Sequence, residues 1–526
     1  MARYAALLAA AFAIGVSYGM YVLWARWIHA SNAKKLGCRP TFVRESHLPF
    51  GIDLMQHDID ATERHVLQNE QVAHYEEMGC HATWSQSLFG ADFIITVDPE
   101  NVKSILATQF KIFELGQSRR GSYAPFIGNG IFTEDGPNWH TSRTLLRPQF
   151  SRSQISDLQL VETHIQNLFS VLPAQSDSWT AEVDLAPLFF HLTMDASTEF
   201  LFGESVDAQL SDRAPSSDLR DASPASKQRM DWSNFVEAFD RANITANTRN
   251  RLLDMYYLYR PGSWSKDCKV VREFADYYVQ RALSRHCDKP NGTSQGDRYV
   301  FLDELIKETQ DPVLLRGQLL NILVAGRDTT AGLLGWTWYW LARYPAVFSK
   351  LRETVLGAFG SSPTDTSSIT FESLKECQYL QHVLSEVLRL HPLVPENIRV
   401  AVRNTSLPRG GGPDGQSPVY VKAGQSVLYN VHVMQRRKDL WGQDADDFRP
   451  ERWVGLRPGW QFLPFNGGPR ICLGQQFALT EASYVMVRML QRFDKIRNLD
   501  HDPTVKHRYT STTSPYELRL QLHQAA

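Results

Sequence analysis

One ten-residue stretch constrains this chain more than any other: Phe465-Asn466-Gly467-Gly468-Pro469-Arg470-Ile471-Cys472-Leu473-Gly474. Two glycines followed by a proline call for a tight turn in which backbone approaches its neighbours closely. A run of helical character, Gln475 to Arg492, follows at once. Cys472 therefore stands just ahead of a helix N-terminus, with its free N–H groups and positive dipole end. Those conditions depress a thiol pKa and hold a thiolate. Arg470 adds a cation suited to an anionic group on whatever the thiolate binds. A lone free cysteine is more often a small buried hydrophobe, but here it sits inside a patterned loop.

A haem offers both a metal for the sulfur and propionates for the arginine. The pattern F-x-x-G-x-R-x-C-x-G, met here from Phe465 to Gly474, resembles the haem-ligand loop of cytochromes P450. That resemblance implies a mainly α protein, a helix-rich prism with small β-sheets, behind a single N-terminal transmembrane helix. It implies Cys472 as the axial ligand of the haem iron, with Phe465 and Arg470 among the cofactor-binding residues.

Further motifs stand in the order that the resemblance requires. Trp139 and Arg143 are at i, i+4 on a helical run and so share a face; they resemble the tryptophan and arginine that bond a haem propionate. Leu315 to Tyr344 is helical in pattern and carries Ala325-Gly326-Arg327-Asp328-Thr329-Thr330 in its middle. A helical glycine costs about 1 kcal/mol relative to alanine, and a threonine hydroxyl competes for backbone carbonyls. Together they predict a local widening of the helix beside an acid and an alcohol suited to relaying protons. The run resembles the P450 oxygen motif, which implies Asp328 and Thr329 as the catalytic pair that manages protons during O–O cleavage. The Trp336 to Trp340 aromatic cluster reads as core.

Glu386 and Arg389 share a face of the Tyr379–Leu390 helix, and Phe448-Arg449-Pro450-Glu451-Arg452-Trp453 follows later. The resemblance makes Glu386, Arg389 and Arg452 a buried ionic triad that locks the scaffold behind the cysteine loop. Arg399, after His391-Pro392, resembles a strand arginine that meets a haem propionate. Residues 394–398 and the 510–515 turn would line the pocket. Gly116 to Gly136, rich in glycine, proline and aromatics, reads as a long loop. Polar stretches at Ser205 to Arg229, His286 to Arg298 and Gly360 to Thr370 read as loops between helices of one core.

Tyr4 to Trp24 is uncharged and long enough to cross a bilayer core of roughly 30 Å. Arg26, Lys34, Lys35 and Arg39 follow it, an excess that puts the body in the cytosol. The reading is a retained anchor over residues 1–30 and a catalytic domain over 31–526; a cleaved signal peptide is the competing one. In that orientation the sequons at Asn243, Asn291 and Asn404 escape glycosylation. Charge is nearly balanced, with 55 basic and 57 acidic residues, so no nucleic-acid partner is implied. Six scattered cysteines form neither a disulfide framework nor a zinc site.

Longer runs narrow the likeness: residues 131–136, 146–150, 198–204, 325–334 and 466–484 resemble the fungal alkane and fatty-acid terminal hydroxylase branch. This implies electrons from an NADPH-cytochrome P450 reductase, an endoplasmic reticulum membrane and a small hydrophobic substrate. Related animal enzymes carry a glutamate where Ala325 stands and esterify it to haem, so non-covalent haem b is expected. The same chemistry on the alkyl tail of a secondary metabolite is an alternative. An electron-independent haem-thiolate isomerase or dehydratase is another, although such relatives tend to lack the acid–threonine pair. Arg436, Arg437 and Lys438 are candidates for a basic reductase-docking face.

Overall fold

The structure, a computed structural model, describes residues 2–151, 158–173, 177–210, 233–288, 299–362 and 364–525. Ten helices matter to the site: α1 (Ala2–Lys35), α2 (Gln117–Ile127), α3 (Gly136–Leu146), α4 (Leu158–Val171), α5 (Leu185–Phe202), α6 (Ser233–Arg251), α7 (Trp264–Asp288), α8 (Pro312–Arg343), α9 (Gln378–Leu390) and α10 (Gln475–Arg492). The chain is mainly α with small sheets, as expected, and it divides into two compact units.

The smaller unit comprises Met1–His57, Ala73–Glu114 and Asn397–Asn430. Its sheet orders the strands Phe42–Val43, Thr83–Leu88, Ala91–Thr96, Ser426–Asn430, Glu396–Ala401 and Phe113–Glu114. Thr83–Leu88 and Ala91–Thr96 form an antiparallel hairpin with Trp84 opposite Ile95. The apolar end of the second strand, from Phe93, is buried. Asp98 then caps a short helix, accepting from the Glu100 and Asn101 amides at 2.8 and 3.2 Å, with Pro99 at its first position. Helix α1 also belongs here; its stretch Leu7–Lys35 is apolar and long enough to cross a membrane, and it fits an anchor.

The larger unit comprises Asp58–Val72, Leu115–Glu396 and Val431–Ala526. Its central helix α8 starts where Asp311 accepts from the Val313 and Leu314 amides, with Pro312 at the first position. Helix α8 is apolar on nearly every side because neighbours cover most of it. It runs against α5, and a β-carbon on Gly326 would lie 3.3 Å from the Ser197 hydroxyl. The aromatic cluster lies in the core, with Trp336 and Trp338 fully buried. Antiparallel strands Phe493–Asn498, Arg519–Gln524 and Val183–Asp184 make one small sheet, and His507–Tyr509 pairs with Thr513–Pro515 as a hairpin.

The expected loop at Gly116 to Gly136 is corrected: α2 occupies Gln117–Ile127. Tertiary packing overrides the glycine and proline signals, for Tyr123, Phe126 and Ile127 are buried. Pro125 has no N–H for the Gly121 carbonyl, which accepts from Arg249 instead. Gly121 has a packing reason, since a β-carbon there would lie 2.3 Å from the Tyr256 ring. The expected loops at 205–229 and 286–298 lie mostly outside the described residues; within them, Ala208–Leu210 is a short 3-10 turn and α7 continues to Asp288.

Candidate active site

The cysteine loop is built by two glycines with separate duties. Gly468 takes a left-handed φ of +67°, and Gly467 lets the Trp460 ring approach to 2.7 Å of where a β-carbon would be. The turn closes through Ile471 N–H to the Gly468 carbonyl at 3.0 Å, and Cys472 N–H donates to the Phe465 carbonyl at 3.0 Å. Helix α10 begins at Gln475, and Cys472 is exposed. Protein also crowds its sulfur closely. That crowding raises the thiol pKa; the Gly474 N–H and the Arg143 cation pull the other way without prevailing. The depressed thiol expected from the helix terminus is therefore corrected, because removal from water outweighs both attractions.

Trp139, Arg143, Arg470 and Cys472 come together. Arg470 lies 4.4 Å from the Trp139 ring centre and Arg143 lies 5.7 Å from it. Arg470 donates to Asp135 at 2.6 Å and to the Glu134 carbonyl at 3.0 Å; Arg143 donates to the Ile471 carbonyl at 3.0 Å, next to Cys472. In the smaller unit, Arg399 is buried, donates to the Ile398 carbonyl at 2.8 Å and lies over the Tyr429 ring.

In α8, every residue from Gly317 to Ala342 is buried except Ala325, Gly326 and Thr329. These fall at i, i+1 and i+4, so they form one open face on an otherwise covered helix. The expected widening is not present: α8 is continuous α-helix, and Thr329 instead donates its hydroxyl to the Ala325 carbonyl at 2.6 Å. Asp328 is 2% exposed, accepts from Asn243 Nδ2 at 2.6 Å and from Arg327 at 3.2 Å. Burial raises its pKa, against the pull of Arg327. Arg327 is shared with Asp240, so it compensates Asp328 only in part.

Sequence reasoning saw Asn243 only as the start of a sequon. It is 2% exposed, which places it beyond reach of glycosylation as folded. Beyond it, Ser511 donates to Asn243 Oδ1 at 2.8 Å and Tyr123 meets Ser511 at 3.2 Å. A polar chain thus runs from Asp328 through Asn243 and Ser511 to Tyr123, and only its Asp328 end carries a sequence signature. Glu481, on α10 nine residues after Cys472, was also missed. Burial pushes its pKa up to about 8, and α10 packs against α8.

Glu386, Arg389 and Arg452 form one network. Arg389 donates to both Glu386 oxygens at 2.9 Å and Arg452 to one at 3.2 Å, with Glu386 and Arg389 fully buried. The basic docking face is corrected. Arg436 is tied to Asp446 at 3.0 Å and to the Leu390 carbonyl at 3.0 Å, and Arg437 is buried with Asp439 at 2.6 Å. Of the three only Lys438 is exposed.

Comparison with known proteins agrees with this geometry. The family model for cytochrome P450 matches residues 60–520. The chain is 45% identical over 503 residues to cytochrome P450 monooxygenase g430 of a Fusarium species, covering 94% of this chain and 86% of that one. It is 48% identical over 427 residues to cytochrome P450 52A13 of Debaryomyces hansenii (80% and 79% covered) and 42% identical over 497 residues to cytochrome P450 monooxygenase alt2 of Alternaria solani (92% and 91%). The chain belongs to the cytochrome P450 family and is a P450 monooxygenase. Membership brings a haem held by a cysteine thiolate and a redox partner. The relatives named are fungal, so the narrower likeness drawn from the sequence holds as well.

Proposed function

We propose that the protein hydroxylates the terminal or near-terminal carbon of a long-chain alkane or fatty acid. The observation that carries this reading is the open Ala325–Gly326–Thr329 face of α8, which packs against the helix that begins beside the accessible Cys472. The residues of the larger unit fit a haem: a thiol open to a ligand and two guanidinium groups on Trp139 beside it. Cys472 would hold the haem iron through its sulfur, and Trp139, Arg143 and Arg470 would hold its propionates; for Arg399 that role rests on the sequence resemblance. Phe465 anchors the loop through its carbonyl. With Ala325 at the position of the esterifying glutamate, the group would be non-covalent haem b.

Once bound, the haem supplies activation of dioxygen for insertion of one oxygen atom into a C–H bond. The chain's own residues manage protons and water. Asp328, its pKa raised by burial, holds a proton at a carboxyl oxygen more readily than an exposed aspartate. Thr329 ties its own hydroxyl hydrogen to Ala325, which leaves the oxygen's lone pairs on the open face. The apolar walls of α8 exclude bulk water from that relay. Electrons would come from an NADPH-cytochrome P450 reductase. Helix α1 would hold the enzyme in the endoplasmic reticulum membrane, single-pass, with the catalytic domain in the cytosol.

Cys472→Ala should abolish the thiolate-type spectrum of the reduced carbon monoxide complex; a variant that keeps it refutes the ligand assignment. Supplying reductase, NADPH and a panel of alkanes, fatty acids and alkyl-tailed metabolites, with products read by mass spectrometry, tests substrate and position together.

A further inference from the structure

Six arginines are buried among the described residues: Arg249, Arg327, Arg389, Arg399, Arg437 and Arg488. Four of them have a carboxylate: Asp240 and Asp328 for Arg327, Glu386 for Arg389, Asp439 for Arg437 and Glu162 for Arg488. Arg399 has none, and the sequence resemblance gives it a haem propionate. Arg249 also has none. It is 6% exposed, donates to the Tyr259 carbonyl at 2.8 Å and the Gly121 carbonyl at 3.2 Å, and its Nε is buried with no hydrogen-bond partner. Tyr256 and Trp264 rings flank the guanidinium, each 5.3 Å from centre to cation. A guanidinium stays charged when buried, and two carbonyls and two rings do not neutralise it.

The position of Arg249 relates it to the active site. It lies on α6, six residues beyond Asn243, which bonds Asp328; at 1.5 Å per residue that is about 9 Å along the axis. Its partner Gly121 lies on α2, two residues before Tyr123, the far end of the polar chain to Asp328. The cation is therefore carried by the same two helices as the polar chain, displaced from its Asp328 end.

We infer that Arg249 is a carboxylate-binding subsite that anchors the acid end of a long-chain fatty acid while the opposite end of the chain reaches the open face of α8. The guanidinium receives the two carboxylate oxygens as a charge-assisted pair, and the flanking rings cover the first methylenes. This rests on the proposed function and deepens it: the preferred substrate is the acid rather than the alkane, and the anchored end is the one that escapes oxidation.

The test uses the full-length, haem-loaded enzyme and reads binding through the substrate-induced spectral shift, with hexadecanoic acid, its methyl ester and hexadecane as probes. For Arg249→Gln, affinity for the acid relative to the ester should fall about tenfold or more, and Arg249→Lys should recover part of the loss. Thermal melting of both variants is recorded alongside. An unchanged acid-to-ester ratio overturns the subsite, and so does an equal loss for all three probes, which would make Arg249 a structural pin. A wild-type enzyme that binds none of the probes refutes the parent reading instead, and removes the subsite with it.

Discussion

Two buried carboxylates in the larger unit, Glu386 and Asp328, face arginine and serve opposite ends. Glu386 receives five donors: Nε and Nη2 of Arg389, Nε of Arg452, the Trp453 indole and the Arg449 amide. Arg389 in turn holds the carbonyls of Gln435, Ala445 and Asp447. No lone pair is left for chemistry, and every bond ties one chain segment to another. Asp328 receives Asn243 and one arm of an arginine that Asp240 also claims. Its charge is under-compensated, so burial raises its pKa. A saturated carboxylate locks a scaffold, whereas an under-saturated one is poised to carry a proton.

The largest effect should come from breaking the saturated site. Glu386→Ala leaves the Arg389 guanidinium buried without a carboxylate, while Arg452 keeps Asp444, and should cost about 3–5 kcal/mol in chemical denaturation. A loss as small as that of a surface change would refute the scaffold role. Next, the buried histidines should make the fold acid-sensitive. His391 stacks on Trp336 at 3.7 Å, His507 meets His391 at 3.3 Å, and His432 lies beside both. Burial, reinforced by the nearby Arg436, lowers the pKa of His507 to about 3, and burial holds His391 and His432 well below the usual value. The unfolded chain takes up these protons first, so stability is full above about pH 6.5 and falls steadily as pH drops towards 3. A flat melting temperature across that window contradicts the burial of neutral rings.

At the under-saturated site the effect should fall on rate instead. Asp328→Asn is expected to lower kcat by roughly 100-fold, with a smaller loss of stability than Glu386→Ala. Equal stability losses in the two variants would erase the distinction. The smallest change is expected from Asn243→Ala. The Asn243 bond lowers the Asp328 pKa, so its loss raises that pKa further and moves the basic limb of the rate profile to higher pH. A profile that does not move makes Asn243 a packing residue only.

Much of the fold and site was legible because local rules act over short windows. The Gln475–Arg492 helix, the long helix read over Leu315 to Tyr344 and the glycine turn before Cys472 follow from periodicity and a positive φ. Helix α2 was not legible, since its burial depends on residues more than a hundred positions away: Arg249 reaches Gly121, and Tyr256 rests on it. Asn243, Glu481 and Arg249 carried no recognisable spacing for the same reason. The basic run at 436–438 misled because composition cannot say whether a cation faces water or an aspartate.

What the residues determined unaided is the chemistry available: one accessible thiol on a glycine turn, an acid beside an alcohol on a long helix, and an apolar segment fit to anchor. What tertiary structure alone decided is how charged those groups are and which partners they keep. Desolvation by the surrounding protein raised the Cys472 thiol where a helix terminus promised to lower it, and packing left Arg249 without an anion among the described residues. The reason is physical: spacing along the chain fixes which side chains share a face, but the cost of removing a charge from water depends on every element that packs around it.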